Sequence, residues 1–101
     1  GSIIWDRYKT NTAKISVPDS YKSEQVMDIT GVSLDEALYY IHKGYALNVL
    51  TEDESMLVYA YDKSNVAYVS GENSFNTAKT ELEKLIGLKN TVILVCNIIK
   101  D

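Results

Sequence analysis

The sequence is poor in the residue types that build stapled or metal-bound folds. Its 101 residues contain one cysteine, one histidine and one proline. A single cysteine excludes a disulfide within the chain, and a single histidine excludes a multi-histidine metal site. Basic residues are also few, since Lys and Arg total 10 against 14 Asp and Glu, for a net charge of −4. This balance disfavours nucleic acids and anionic membranes as partners, because both require a basic surface.

Long apolar runs and glycine-rich loops are missing as well. No segment approaches the roughly 18 unbroken apolar residues of a transmembrane helix. The five glycines stand singly, and neither a GxGxxG nor a GxxxxGK[ST] phosphate loop occurs. The sequence therefore predicts no cofactor, no metal and no membrane span within this chain.

What the sequence does contain is typical of one folded domain, with 46% hydrophobic and 24% charged residues. The chain starts with Gly1-Ser2 rather than with methionine, as it does after removal of an expression tag. We expect residues 1–2 to be such a scar, and residues 3–101 to be a single α+β domain excised from a longer protein.

The clearest local pattern predicts a helix over residues 33–43. Ser33 is followed three residues later by Glu36, which is the spacing of a capping box. Four apolar residues at helical spacing form the predicted buried stripe: Leu34, Ala37, Leu38 and Ile41. Gly44 then ends the helix, because glycine readily takes the positive φ of a helix C-terminus.

Shorter patterns on both sides complete the predicted fold. Residues 45–50, 56–62 and 65–70 predict three antiparallel strands joined by short turns. Residues 76–86 predict a second amphipathic helix. Residues 91–99 are a nearly unbroken apolar run, which predicts a last strand inside the sheet with both faces covered.

The first thirty residues show the least periodicity. A strand is possible at Ile3–Trp5, and the alternation over residues 13–17 predicts another before Pro18. We interpret the rest of residues 3–30 as extended arms with loops, and residues 71–74 as a turn. The predicted fold class is therefore α+β, with a curved antiparallel sheet and two flanking helices.

The segment MDITGVSLDEALYYIHKGYALNVLTEDESMLVYAYDKSNVAYVS resembles the C-terminal half of bacterial C39-like cysteine peptidase domains, which have the papain fold. The resemblance rests on a helix that begins with SLDE, contains LYY and ends in glycine, and on a later strand that ends in Tyr-Asp. The matching positions are Gly31, Ser33, Leu34, Asp35, Glu36, Leu38, Tyr39, Tyr40, Gly44, Tyr61 and Asp62. It covers roughly residues 27 to 99 and implies a papain-like arrangement of helix and sheet.

The positions that carry catalysis in this family are occupied by other residues here. Counting from Tyr61-Asp62, the family's catalytic histidine falls on or next to Glu54, and its orienting aspartate falls near Ser70. The half of such domains that bears the nucleophilic cysteine has no counterpart in this sequence. A cysteine peptidase needs a thiolate, a histidine and a group that orients it. The resemblance therefore implies a degenerate domain without catalytic residues.

The single thiol and the single imidazole are the only candidates for a catalytic cysteine–histidine pair. Cys96 lies in the most apolar predicted strand, where cysteine behaves as a small buried hydrophobe. His42 lies at the end of the predicted helix, where it can interact with the helix dipole. The carboxylates of residues 52–54 lack the spacing and the glycine of a calcium loop, so we interpret them as a solvated turn.

Tyrosine is the residue type in excess, with eight copies against one Phe and one Trp. Tyrosine hydroxyls that reach water are common at interfaces and in binding grooves. Tyr59 and Tyr61 are predicted to share one face of a strand with Leu57, and Tyr45 and Tyr68 belong to neighbouring strands. These four tyrosines form the candidate binding surface, with a protein, a peptide or a glycan as the ligand.

The function predicted first is a non-catalytic interaction or structural module of a larger bacterial protein. The resemblance implies an extracytoplasmic location, secreted or on the cell surface of a Gram-positive bacterium, and a protein partner or self-association. One alternative is a small acidic, cytoplasmic binding protein such as a toxin-immunity protein, which would use its carboxylates against a basic partner. Another is the C-terminal part of an active cysteine peptidase.

Overall fold

The fold is an antiparallel β-sheet that carries two helices, seen in a computed structural model that describes residues 12–100. Within those residues there are seven strands and two helices. Their bounds are β1 Ala13–Lys14, β2 Tyr21–Asp28, α1 Leu34–His42, β3 Ala46–Leu50, β4 Ser55–Tyr61, β5 Asn65–Ser70, β6 Asn73–Ala78, α2 Lys79–Ile86 and β7 Val92–Lys100. The predicted α+β class with an antiparallel sheet and two helices is confirmed.

The strands follow the order β2-β7-β3-β4-β5-β6, and all their pairings are antiparallel. The short strand β1 continues the edge of β4 beyond β3, with Ala13 opposite Tyr61. The last strand, β7, lies between β2 and β3, so its predicted place inside the sheet is confirmed. Among residues 12–100, β2 and β6 form the two outer edges.

Helix α1 forms where its local signals predict it. The Ser33 hydroxyl accepts a hydrogen bond from the Glu36 backbone N–H at 3.3 Å, which satisfies one free donor of the first turn. The predicted stripe is buried in full: Leu34, Ala37, Leu38 and Ile41. Gly44 follows the helix with a φ of 104°, a backbone conformation that side chains with a Cβ rarely adopt.

Both helices pack on the same face of the sheet, and the core lies between them. The sheet contributes alternate residues that point to this helix face: Leu47, Val49, Met56, Val58, Val66, Ile93 and Val95. Helix α2 adds Leu82, its one fully buried side chain. The intervening residues point to the opposite face, which we call the open face because neither helix covers it. They include Ala46, Leu57 and Cys96, which are buried.

Four predictions about local structure are wrong. Residues 21–28 form a regular strand rather than an extended arm with loops, because β7 supplies a long partner for them. Residues 73–78 also form a strand, so α2 begins at Lys79 rather than at residue 76. The strand predicted over residues 13–17 is limited to Ala13–Lys14. The possible strand at Ile3–Trp5 lies outside the described residues.

The fourth wrong prediction is the complete covering of β7. Its first half is buried or half-buried on both faces, and Val95 and Cys96 point in opposite directions. Asn97 and Ile99 are exposed, because they lie next to the outer strand β2, whose own side chains from Lys22 to Asp28 are exposed.

Candidate functional site

The four predicted tyrosines do not form one exposed surface. Tyr61 is only 7% exposed and belongs to the core, where the Lys79 ammonium lies 5.1 Å from the centre of its ring. Burial raises the pKa of the Tyr61 hydroxyl above its usual range. Tyr45 and Tyr68 are half-buried and pack against the core. Tyr68 also stacks on Phe75, with ring centres 5.4 Å apart.

A β-bulge changes the faces on which the β4 side chains lie. The register shifts between Val58 and Ala60, so Leu57 pairs with Val69 whereas Tyr61 pairs with Val66. Val66 and Val69 are three residues apart on β5, and side chains an odd number of residues apart on a strand point to opposite faces. Leu57 and Tyr61 therefore lie on opposite faces of the sheet. The predicted common face for Leu57 and Tyr61 is therefore wrong, because a bulge breaks the alternation of a strand.

A cavity of about 620 Å³ opens on the sheet around the bulge. Its floor is formed by Ala60 and Ala67, which lie directly opposite each other on β4 and β5. Both belong to the open face, since their neighbours Tyr61 and Val66 are core residues on the helix face. The methyl side chains leave the sheet backbone within reach of a ligand, and we call this feature the alanine trough.

The rim of the alanine trough is polar. Lys14 on β1 pairs with Ala60, and Asn76 on β6 pairs with Ala67. A row of four facing residues therefore crosses four strands, and a hydrogen-bonding side chain stands at each end of it. Thr12, Asp62, Asn65 and Tyr59 complete the rim. The rim thus offers amide, hydroxyl, ammonium and carboxylate groups around a small apolar floor, which suits a polar chain such as an extended peptide.

Asp62 fixes one end of the trough. One carboxylate oxygen of Asp62 accepts hydrogen bonds from the backbone N–H groups of Ser64 at 2.8 Å and of Asn65 at 2.7 Å. These backbone hydrogen bonds lower the pKa of the Asp62 carboxyl, and the positive charge of Lys79 adds a smaller effect in the same direction. The turn between β4 and β5 is therefore held by a charged side chain.

The sheet separates the thiol from the imidazole. Cys96 points to the open face, in register with Ala46 and Gln25, and is buried. His42 ends α1, which packs on the helix face. Burial raises the pKa of the Cys96 thiol, which disfavours the reactive thiolate. The two side chains therefore cannot act together as a nucleophile and its base.

The two positions at which the resemblance predicts the family's catalytic residues lie at one end of neighbouring strands. Glu54 is exposed in the turn before β4. Ser70 ends β5, and the pairing of Leu57 with Val69 places it beside Met56. A carboxylate and a hydroxyl occupy these positions, and neither can take the role of an imidazole base or of the carboxylate that orients it.

The acidic turn is ordered by its own hydrogen bonds. The Thr51 hydroxyl accepts from the backbone N–H of Glu54 at 3.0 Å and of Asp53 at 3.3 Å, and the Asn90 amide donates to Glu52 at 2.8 Å. Residues 52–54 are exposed. Within residues 12–100, no cluster of three or more His, Cys, Asp and Glu side chains could hold a metal ion.

Sequence reasoning missed the two residues that form the trough floor. The signal was present, since a two-residue connection at Lys63-Ser64 already pairs Tyr61 with Val66 and Ala60 with Ala67. Small residues that face each other across a hairpin leave a gap in the sheet surface.

None of the described helices is both long and apolar enough to cross a membrane, in agreement with the prediction of no membrane span. Comparisons of the chain with protein-family models, with curated proteins and with solved structures found no match. The resemblance to C39-like domains therefore stays a prediction from the sequence.

Proposed function

We propose that this chain is a non-catalytic interaction module, related to C39-like peptidase domains, that binds a protein or peptide segment in the alanine trough. It belongs on this account to a larger secreted or cell-surface protein of a Gram-positive bacterium, as the resemblance implies. The observation that carries the binding role is the pair of facing alanines, Ala60 and Ala67, with hydrogen-bonding side chains at both ends of their row.

Two observations support the absence of peptidase chemistry from the proposal. Cys96 and His42 lie on opposite sides of the sheet, and the pKa of the thiol is raised by burial. Glu54 and Ser70 occupy the positions aligned with the family's histidine and aspartate. Thiol-dependent peptide hydrolysis by the full-length protein would count against the non-catalytic role.

A pair of arginine substitutions tests the binding role. Ala67→Arg fills the trough floor, whereas Thr80→Arg adds the same side chain at an exposed position of α2. Immobilised wild-type and variant chains are incubated with proteins of the source organism, and retained proteins are quantified by mass spectrometry. We expect a protein that wild type and Thr80→Arg retain and that Ala67→Arg loses. Equal retention by all three chains contradicts binding in the trough.

The second candidate is an acidic protein that binds a basic partner, such as a toxin-immunity protein. It is favoured by the ordered turn at residues 52–54, because a turn whose backbone and Glu52 carboxylate are already held in place loses less entropy on binding. Replacing Glu52, Asp53 and Glu54 by glutamine separates the two candidates. The trough proposal predicts unchanged retention of the partner, and the acidic-turn candidate predicts its loss together with strong salt dependence.

A further inference from the structure

The two outer strands differ in how they are protected from pairing with another chain. Strand β2 carries charged side chains at Lys22, Glu24 and Asp28 and a bulge between Gln25 and Met27. Strand β6 pairs with β5 without any register shift and has no charged residue from Asn73 to Ala78. Charged side chains and bulges on an edge strand hinder its pairing with a strand of another chain. Among residues 12–100, β6 is therefore the unprotected edge.

The direction of the β6 backbone groups follows from one hydrogen bond. The Lys79 N–H donates to the Ser64 carbonyl at 2.9 Å, so residue 79 faces β5. In an antiparallel ladder, successive residues turn their N–H and C=O groups alternately to one neighbour and to the other. The backbone groups of Ser74, Asn76 and Ala78 therefore point away from β5, toward the free edge.

We infer that β6 pairs antiparallel with β6 of a second copy of this chain, about a two-fold axis at Asn76. With this register, Asn76 faces its own counterpart and Ser74 faces Ala78 of the second copy. All three outward-facing residues then pair, which gives about six hydrogen bonds at two per facing pair. A two-fold axis at Phe75 would instead pair Ser74 of each copy with Asn76 of the other. These two pairs would give about four hydrogen bonds.

The chemistry of β6 fits its own copy. A two-fold axis brings each residue near it against the same residue, so a charge there would meet a like charge. Strand β6 has none, and its ends carry opposite charges at Glu72 and Lys79. Antiparallel pairing sets the Glu72 end of one copy beside the Lys79 end of the other. Like charges are thus kept apart at opposite ends of the paired strands, which favours a second copy as the occupant of the edge.

Apolar surface is buried in the same step. Phe75 is 45% exposed although it stacks on Tyr68. In the proposed register Phe75 faces Thr77 of the second copy in a non-hydrogen-bonded pair, where side chains approach most closely. The exposed part of the ring is then covered by the Thr77 methyl group.

The pairing also extends the binding surface. Asn76 ends the row that runs from Lys14 over Ala60 and Ala67. When it meets its counterpart, the two alanine troughs lie in one row across the axis, with the two Asn76 side chains between them. A ligand that spans both troughs rests on the proposed function, whereas the pairing of β6 does not.

A charge-exchange experiment tests the register. Asn76→Lys and Asn76→Asp each place a like charge against itself at the axis, and Asn76→Thr keeps the position neutral. Sedimentation velocity of the wild-type chain and of Asn76→Thr is expected to show a dimer. Each charged variant alone should dimerise at least about fivefold more weakly than the wild-type chain. An equimolar mixture of the two should recover the dimer through a Lys–Asp pair.

Proline substitutions test the backbone contact separately. Asn76→Pro removes an outward N–H without breaking a bond to β5, so it should give a folded monomer. Ser23→Pro is the matched control on β2. The Ser23 N–H also points to the free edge. The Ile29 N–H donates to the Ile93 carbonyl, so Ile93 and every second residue after it on β7, including Asn97, face β2. Glu24, which pairs with Asn97, therefore faces β7, and its neighbour Ser23 faces outward. A monomeric wild-type chain at millimolar concentration, or dimers of both charged variants as stable as wild type, would overturn the inference.

Discussion

Ala60 and Ala67 lie directly opposite each other on β4 and β5, on the sheet face that neither helix covers. On both sides their row ends in a polar side chain, Lys14 on β1 and Asn76 on β6. Between those ends nothing larger than a methyl group rises from the sheet. This gap is the physical basis of the proposed binding role, because a ligand there can reach both the sheet backbone and the polar rim.

Removal of the Leu82 side chain should destabilise the fold strongly. Leu82 is 1% exposed and is the fully buried residue by which α2 joins the core. Leu82→Ala should lower the free energy of unfolding by about 3 kcal/mol, through lost burial and the cavity left behind. The matched control is Leu88→Ala, which removes a side chain that is 56% exposed and should cost much less. Urea unfolding measures both, and equal losses would contradict the described packing of α2.

Removal of the cap of α1 should have a smaller effect. Ser33→Ala deletes the oxygen that accepts the Glu36 N–H, and should lower the free energy of unfolding by about 1 kcal/mol. Ser33→Asp keeps an acceptor at the same position and should restore most of the loss. If the aspartate variant were as unstable as the alanine variant in thermal unfolding, the cap would not be the cause.

Acid should remove the contribution of Asp62 to stability. Its pKa is lowered in the folded chain, chiefly by the hydrogen bonds from Ser64 and Asn65. A lowered pKa means that the stabilisation is present above the usual pKa of 3.8 and is lost as the pH falls through the folded-state value. The free energies of unfolding of wild type and Asp62→Asn should therefore converge below pH ~4. A difference that stays constant from neutral to acid pH would contradict this role.

Cys96 should behave as a structural thiol. It is 2% exposed, and burial raises its pKa, so iodoacetamide should modify it slowly at neutral pH and faster only when the chain unfolds. The double variant Cys96→Ser, Leu88→Cys carries an exposed thiol as a control and should react rapidly. Rapid modification of wild-type Cys96, with a rate that persists at acidic pH, would identify an activated thiolate.

The elements that could be predicted from the sequence are those with local signals. Helix α1 has its cap, its apolar stripe and its terminal glycine within twelve residues. Strands β3, β4 and β5 have apolar residues and short turns, and their observed bounds differ little from the predicted ones. In each case the residues that decide the structure are neighbours in sequence.

The elements that were missed depend on distant partners. The sequence predicts a turn and then a helix where β6 lies, because Phe75, Ala78 and Leu82 continue a helical spacing. Its pairing with β5 decides the outcome instead. Strand β2 has mostly exposed side chains and no alternation, and it is extended because β7 pairs along its length.

The bulge at Tyr59 explains why the arrangement of the β4 side chains could not be predicted from the sequence. An extra residue in one strand leaves no mark in the composition, yet it reverses the faces of the side chains on either side of it. Of the four tyrosines, Tyr59 and Tyr61 line the trough, whereas Tyr45 and Tyr68 do not. The floor, Ala60 and Ala67, was missed because small residues carry no chemical signal of their own.

The most direct measurement of the central claim is amide chemical-shift mapping of the labelled chain with a protein that the wild type retains and Ala67→Arg does not. If the ligand lies in the trough, the perturbed amides should cluster at Ala60, Ala67 and Asn76, and those of α1 should stay unchanged. Perturbations confined to α1 or to the acidic turn at residues 52–54 would contradict binding in the alanine trough.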